Sequence, residues 1–328
     1  MKVIIPMAGY GKRLRPHTFS RPKPLITVAG APMLKHLLDA LAVLEPEEYI
    51  FIVGHLGDQI EEYISAHYPI KAAYVVQKEL TGQSPAIYLA REHLEGPTIL
   101  VFADTLFYAD LSAIHTTDAD ALAFVKQVED PRRFGVVEVD STGRVTRFVE
   151  KPEGMDNKNV IIGLYYIREA ERMLRAIETQ MSTGRMTKGE YYIADAFQIM
   201  IEQGAVFRTQ PVDVWLDCGK PETVLETNRY LLEHGHDNSS TVKQPGVLVI
   251  PPVNIHPAAR FDQAVIGPYV TVGAECHISH SVIRDAIIED GASVRNIIMD
   301  QSLIGREARV TGRYMTLNVG DESSIDFG

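Results

Sequence analysis

Between residues 266 and 310 the aliphatic side chains keep a fixed rhythm. Ile266, Val272 and Ile278 are in phase, as are Val282, Ile288 and Val294, and then Ile298, Ile304 and Val310. Each triplet starts sixteen residues after the one before, so a coil reads six, six and four. Hexapeptide spacing of this kind builds a parallel β-helix, in which each coil cannot bury its apolar face alone and neighbouring coils stack their aliphatic residues inside. A small β-sandwich could show such spacing by coincidence, but nine positions in register favour the solenoid. The expectation is a left-handed parallel β-helix over residues 246–328. The stretch Glu233–Gln244, rich in His, Asn, Ser and Thr, reads as a linker, placed at 236–245 between the β-helix and a first domain over 1–235.

The first 235 residues follow another pattern. Val3-Ile4-Ile5, Tyr49–Val53, Ala72–Gln77 and Thr98–Phe102 read as short buried strands. Met33–Leu44, Asp58–His67 and Pro85–Leu94 carry apolar residues at helical spacing. Strand–helix alternation predicts an α/β fold, a Rossmann-like, mostly parallel sheet with helices on both faces. In such sheets ligands bind beyond the carboxyl ends of the strands, so loops after strands are where chemistry is to be sought.

Charge narrows the choice of ligand. With 32 Lys and Arg against 43 Asp and Glu the formal net charge is −11, which excludes a broad basic face for nucleic acid. An anion can be held only where cations or backbone N–H groups are gathered locally. The loop after the first strand does gather them: Ala8-Gly9-Tyr10-Gly11-Lys12-Arg13-Leu14-Arg15-Pro16, followed by Arg21-Pro22-Lys23-Pro24-Leu25. Glycines let backbone N–H groups approach an anion, and Lys12, Arg13, Arg15 and Lys23 supply charge. The loop lacks the third glycine of a dinucleotide fingerprint, and GxxxxGK[ST] does not occur. Taken alone, Lys23 reads as a solvated surface lysine, and a short GxG as an ordinary turn.

Taken together, GxGxRLxP followed by PKPL resembles the signature of the sugar-1-phosphate nucleotidyltransferases. The resemblance runs through Phe134-Gly135-Val136-Val137, Val149-Glu150-Lys151-Pro152, Gly163-Leu164-Tyr165, Lys188-Gly189-Glu190 through Asp195, and Trp215-Leu216-Asp217-Cys218-Gly219. Order and spacing are similar to the thymidylyltransferase branch, several members of which also carry a C-terminal hexapeptide β-helix. The resemblance implies attack of a sugar-1-phosphate on the α-phosphorus of a nucleoside triphosphate, with dTTP or UTP and glucose-1-phosphate favoured. A mannose-1-phosphate guanylyltransferase is the rival within the class, and a catalytically silent regulatory or assembly subunit the rival outside it.

Carried over residue by residue, the resemblance implies that Arg13 holds the α-phosphate and Lys23 the triphosphate or pyrophosphate oxygens. Ala8, Gly9, Gly11, Gln77 and Gly82 would form the nucleotide site. Gly135, Glu150, Lys151 and Gly163 would hold the sugar phosphate. Asp104 and Asp217 match the aspartates that bind Mg²⁺, a cation that prefers carboxylate oxygens, phosphates and water. In isolation each of these aspartates reads as a turn or capping residue. The family commonly has Gly where Ala103 precedes Asp104 here.

Other features stay plain. The eleven His show no HxxxH or HExxH spacing. Cys218 and Cys276 lie far apart without CxxC, and Met1–Pro6 is no secretory signal. The expectations are therefore a cytoplasmic enzyme with free thiols, NTP and sugar-1-phosphate as partners, no nucleic acid, no membrane, and a homo-oligomer.

Overall fold

The computed structural model describes residues 1–313, 319, 320, 323 and 324. The rest of the expected 246–328 segment lies outside the described residues. The chain divides into two compact units, Met1–Thr27 with Ala31–Thr227, and Val28–Gly30 with Asn228–Gly328.

The first unit is built on a nine-stranded sheet. Thr98–Val101, Lys2–Pro6, Glu48–Val53 and Ala72–Val76 lie side by side and parallel. Asn159–Ile167 joins Thr98–Val101 antiparallel and leads to Gly135–Val139 and Val145–Glu150 on one branch, and to Ala121–Gln127 and Phe207–Pro211 on the other. Both faces are covered. Ile4, Ile50, Ile52 and Leu100 pack with residues of the helices Gln83–Leu89, Ala170–Ser182 and Ile193–Glu202, while Val3, Ile5 and Phe51, pointing the other way, are as fully buried. A strand buried on both faces must be a continuous apolar run, which is why Val3-Ile4-Ile5 and Tyr49–Val53 lack alternation.

Helix limits shift where backbone geometry demands it. The segment expected at Pro85–Leu94 starts at Gln83, because Gly82 sits at φ +130°, outside helical geometry; the α-helix ends at Leu89. Pro85 falls in the first turn, where its missing N–H would have had no helical partner. Met33–Leu44 is an α-helix to Leu41 closed by a 3₁₀ turn over Ala42–Leu44.

In the second unit three parallel sheets of four short strands each form the coil stack. Ile266, Val272, Ile278, Ile288 and Val294 are all buried in its core. Two positions of the sequence pattern are corrected: Val282 and Ile298 point outward, 41% and 84% exposed, and Ile283 and Met299 take the inward places. Seventeen residues separate Ile266 from its ladder partner Ile283, and sixteen separate Ile283 from Met299. One extra residue moves the strand to its other face, because neighbouring side chains in a strand point opposite ways. Val282 and Ile283 are both aliphatic, so spacing alone could not tell which turns in.

Asn228, fully buried in this unit, uses its whole side-chain amide. Its Oδ1 accepts from the Ala29 N–H at 2.8 Å and the Thr271 hydroxyl at 2.7 Å, and its Nδ2 donates to the Tyr269 carbonyl at 3.2 Å. Beside it, Arg229 makes a two-pronged ion pair with the buried Asp285. Truncating Asn228→Ala strands two buried donors, the Ala29 N–H and the Thr271 hydroxyl, while the Tyr269 carbonyl keeps the Ala286 N–H; the loss should cost about 2–4 kcal/mol of stability. Urea unfolding followed by circular dichroism checks this; an unshifted midpoint would show that the amide carries no weight.

Candidate active site

The strand Thr105–Tyr108 pairs antiparallel with Val214–Asp217 in a two-stranded ribbon, with Thr105 opposite Asp217. Asp104 immediately precedes that ribbon, in the turn after the central strand Thr98–Val101, and its carbonyl accepts from the Cys218 N–H at 3.0 Å. Two aspartates distant in the sequence thus meet at one ribbon end, beyond the carboxyl end of a parallel strand.

Two cations face them. Gly11, in left-handed geometry, starts the 3₁₀ turn Lys12–Leu14 that carries Arg13. A Cβ on Gly219 would lie 3.2 Å from both terminal guanidinium nitrogens of Arg13 and 2.9 Å from Asp217 Oδ1, so glycine here leaves room for the two side-chain ends. Lys23 sits in a second 3₁₀ turn between Pro22 and Pro24, and its Nζ donates to Asp104 Oδ2 at 2.6 Å. The two lysine-loop prolines fix φ on either side of it.

These contacts divide the aspartates electrostatically. Burial alone would push Asp104 up, but the Lys23 ammonium with its hydrogen bond, and Arg13, hold it below the ordinary carboxylate value. Asp217 moves the other way: burial raises it, the Asp104 charge adds to this, and Lys23 and Arg13 offset only part. Glu150 is likewise raised by burial, with the Lys151 charge opposing.

Two adjoining cavities open on this group. The larger, about 440 Å³, is lined by Ala8, Gly9, Gly11, Lys12, Arg13, Lys23, Gln77, Gly82 and Asp104 among others. The smaller, about 260 Å³, is lined by Arg13, Asp104, Gly135, Glu150, Gly163, Trp215 and Asp217 among others. Arg13 and Asp104 line both. Every residue proposed as a ligand lines one cavity or the other, save Lys151; Arg15, also expected to supply charge, lines neither, its guanidinium lying 4.8 Å from the centre of the Phe19 ring. The Lys151 ammonium instead donates to Tyr192 Oη at 2.7 Å, and Tyr192 lines the larger cavity.

Sequence reasoning missed several lining residues. Gln83 and Phe102 border both cavities, Glu190 and Tyr192 the larger, and Arg133 the smaller. Trp215 lines the smaller one and buries its Nε1 with no hydrogen-bond partner among the described residues. As the one Trp in the chain, within the Trp-Leu-Asp-Cys-Gly turn, it was the missed residue with a visible signal. Cys218 and Cys276 are both free and buried.

Asp104 and Asp217 are the residues that could hold a divalent cation. Among the described residues no cluster of three or more His, Cys, Asp or Glu side chains has metal-binding geometry. A cation here would complete its shell with oxygens of a bound phosphate and water, the habit of Mg²⁺ rather than of zinc. The donor set therefore fits Mg²⁺. No helix among the described residues is long and apolar enough to cross a membrane.

Loops gathered beyond parallel strands thus enclose two joined cavities in which cations face a carboxylate pair. The chain belongs to the nucleotidyl transferase family, whose profile matches residues 2–234. It is 31% identical over 233 residues to the bifunctional protein GlmU of Methanocaldococcus jannaschii, covering 71% of this chain and 55% of that protein, about half its length. It is 27% identical to a glucose-1-phosphate thymidylyltransferase of Streptomyces antibioticus over 99% of both chains. In fold it is similar to a UDP-glucose pyrophosphorylase complexed with UDP-glucose. That match has a TM-score of 0.63 and 18% identity, over 71% of this chain and 98% of that one.

The raised Asp217 has a testable consequence. A carboxyl that holds its proton more tightly when folded contributes stability below the ordinary carboxylate range, and loses it as pH rises through the raised value. At neutral pH the ionised group is therefore a cost to folding. Asp217→Asn should leave the melting temperature at pH 7 equal or higher while lowering nucleotidyl transfer by about 10²-fold or more. Thermal melts and a pyrophosphate-release assay check both; a destabilised variant or one of near-normal rate would contradict the assignment.

Proposed function

We propose that the protein transfers a nucleotidyl group from a nucleoside triphosphate to a sugar-1-phosphate, forming a nucleotide-sugar and pyrophosphate. The observation that carries this reading is the pair of cavities meeting at Arg13 and Asp104. One lobe is sized for a nucleotide and the other for a single sugar ring, and the shared wall is where their phosphates would meet.

The chemistry follows from the charges. A phosphate oxygen of the sugar-1-phosphate attacks the α-phosphorus while the bond to the bridging oxygen of the β-phosphoryl group breaks and pyrophosphate departs. Two polyanions repel, so catalysis lies in positioning them in line and neutralising charge, without a protein nucleophile. Arg13 faces the α-phosphoryl group. Lys23 is held on Asp104 until triphosphate oxygens compete for its ammonium. Asp104 and Asp217 would hold Mg²⁺, which when bound stabilises negative charge on the α-phosphoryl group and the leaving oxygens.

On the nucleotide side, Gln77 is buried after the strand Ala72–Val76, and its Nε2 donates to the Gly82 carbonyl at 3.5 Å. That leaves its carboxamide oxygen to accept, which suits the N3–H of a thymine or uracil. On the sugar side, Glu150 can accept hydroxyl protons, and the unpartnered Trp215 Nε1 can donate to a ring substituent. This set, and the similarity to a thymidylyltransferase along nearly the whole chain, support dTTP or UTP with glucose-1-phosphate.

Pyrophosphate release from a panel of dTTP, UTP, GTP, CTP and ATP against glucose-1-phosphate, mannose-1-phosphate and N-acetylglucosamine-1-phosphate tests the proposal. The fastest turnover should come from a thymidine or uridine triphosphate with glucose-1-phosphate in the presence of Mg²⁺. Arg13→Ala should lower kcat/KM by about 10²–10³-fold. Preference for GTP with mannose-1-phosphate would move the assignment to a guanylyltransferase. Silence with every pair would leave a non-catalytic subunit.

A further inference from the structure

Lys151 stands apart from the other proposed ligands, and the way it is held points to a residue with no role so far. It follows the edge strand Val145–Glu150 with its backbone at φ +49°, in left-handed geometry. Its N–H donates to the Phe134 carbonyl at 3.0 Å, and its own carbonyl accepts from Lys188 Nζ at 3.3 Å. Its backbone is thus tied down, but four rotatable bonds separate it from the ammonium. An unconstrained lysine would lose much of that freedom on meeting a phosphate.

The ammonium is not unconstrained. Nζ donates a hydrogen bond of 2.7 Å to Tyr192 Oη. The nearest carboxylate contact is longer, 3.9 Å to Glu150 Oε1. Tyr192 is a rigid mount, 7% exposed and leading directly into the helix Ile193–Glu202. Its carbonyl accepts from the buried Gln180 side chain at 2.9 Å, and the adjoining Ile193 N–H donates to Gln83 Oε1 at 3.1 Å. Glu150, next to Lys151 in the chain, lines the smaller cavity, whereas Tyr192 lines the larger. The Lys151–Tyr192 pair therefore stands at the partition between the two lobes, where the phosphate of one substrate has to approach the triphosphate of the other.

We propose that Tyr192 is a positioning residue for the sugar-phosphate subsite, its phenol oxygen holding the Lys151 ammonium at the partition before substrate arrives. The inference rests on the reading of Lys151 as a sugar-phosphate ligand. A preorganised cation spends less conformational entropy on binding, so the benefit appears in affinity for the sugar phosphate. The nucleotide, held by Arg13, Lys23 and Gln77, is not the substrate that depends on it. A merely structural Tyr192 would affect both substrates, or stability, alike.

Steady-state kinetics on the full chain separates these cases. Tyr192→Phe keeps the ring and the packing while removing the oxygen that fixes Nζ. The KM for the sugar-1-phosphate should rise about ten-fold, with the KM for the triphosphate and kcat changed less than about three-fold. Lys151→Met should raise the same KM further, and adding Tyr192→Phe to it should change nothing more, because the partner is already gone. An unchanged sugar-phosphate KM in Tyr192→Phe overturns the proposal while leaving the enzyme reading intact, and so does a double variant whose effects simply multiply. Absence of turnover by the unaltered protein with every substrate pair overturns both. A thermal melt of Tyr192→Phe sets the assay temperature below its midpoint, so the KM values are compared on folded protein.

Discussion

The site depends on one short antiparallel ribbon. Thr105–Tyr108 against Val214–Asp217 carries Asp104 and Asp217 to the same end, and the hydrogen bond from the Cys218 N–H to the Asp104 carbonyl closes it. Two carboxylates brought together in a half-buried place repel. Their coexistence requires compensation, and Lys23 and Arg13 provide it from two rigid turns of the loop after the first strand. The compensation is uneven. Asp104 is held ionised by a direct ion pair, while Asp217 is left with a raised affinity for a proton. A divalent cation would relieve that imbalance, so the site is poorly satisfied by its own residues and well suited to a cation arriving with phosphates.

Acidic as the protein is, with a formal charge of −11, four of its 32 Lys and Arg residues, Lys12, Arg13, Lys23 and Arg133, wall the two cavities. Lys12, Arg13 and Lys23 line the larger cavity, and Arg13 also borders the smaller one. The overall charge therefore argues against a broad polyanion surface and is silent about a small, walled anion site. Walls matter here because fixed charges act more strongly where water is partly excluded.

Much of this was legible in the amino-acid sequence, for physical reasons that differ by element. The parallel strands Lys2–Pro6 and Glu48–Val53 announce themselves because burial on both faces demands unbroken apolar runs. The Gly9–Arg13 loop alone reads as an ordinary turn; it becomes legible only in combination with Pro22–Leu25, through the resemblance to a family signature. The coil stack was legible in outline but slipped by one residue at Val282 and Ile298, where adjacent aliphatic residues hide which of them faces inward. The pairing of Lys151 with Tyr192 left no local trace, since neither spacing nor composition records a contact between residues so far apart. The same holds for Gln83, whose lining role depends on where Gly82 ends one segment and starts a helix.

On the proposed function the two lobes would hold two substrates whose phosphates meet at Arg13 and Asp104. A crystal structure with a bound nucleotide-sugar, the product that should occupy both lobes at once, tests it most directly. The base should lie beside Gln77 and Gly82, the sugar ring against Gly135, Glu150 and Trp215, and the diphosphate beside Arg13 between them. A nucleotide-sugar confined to one lobe, or bound with its diphosphate remote from Arg13 and Asp104, would contradict it.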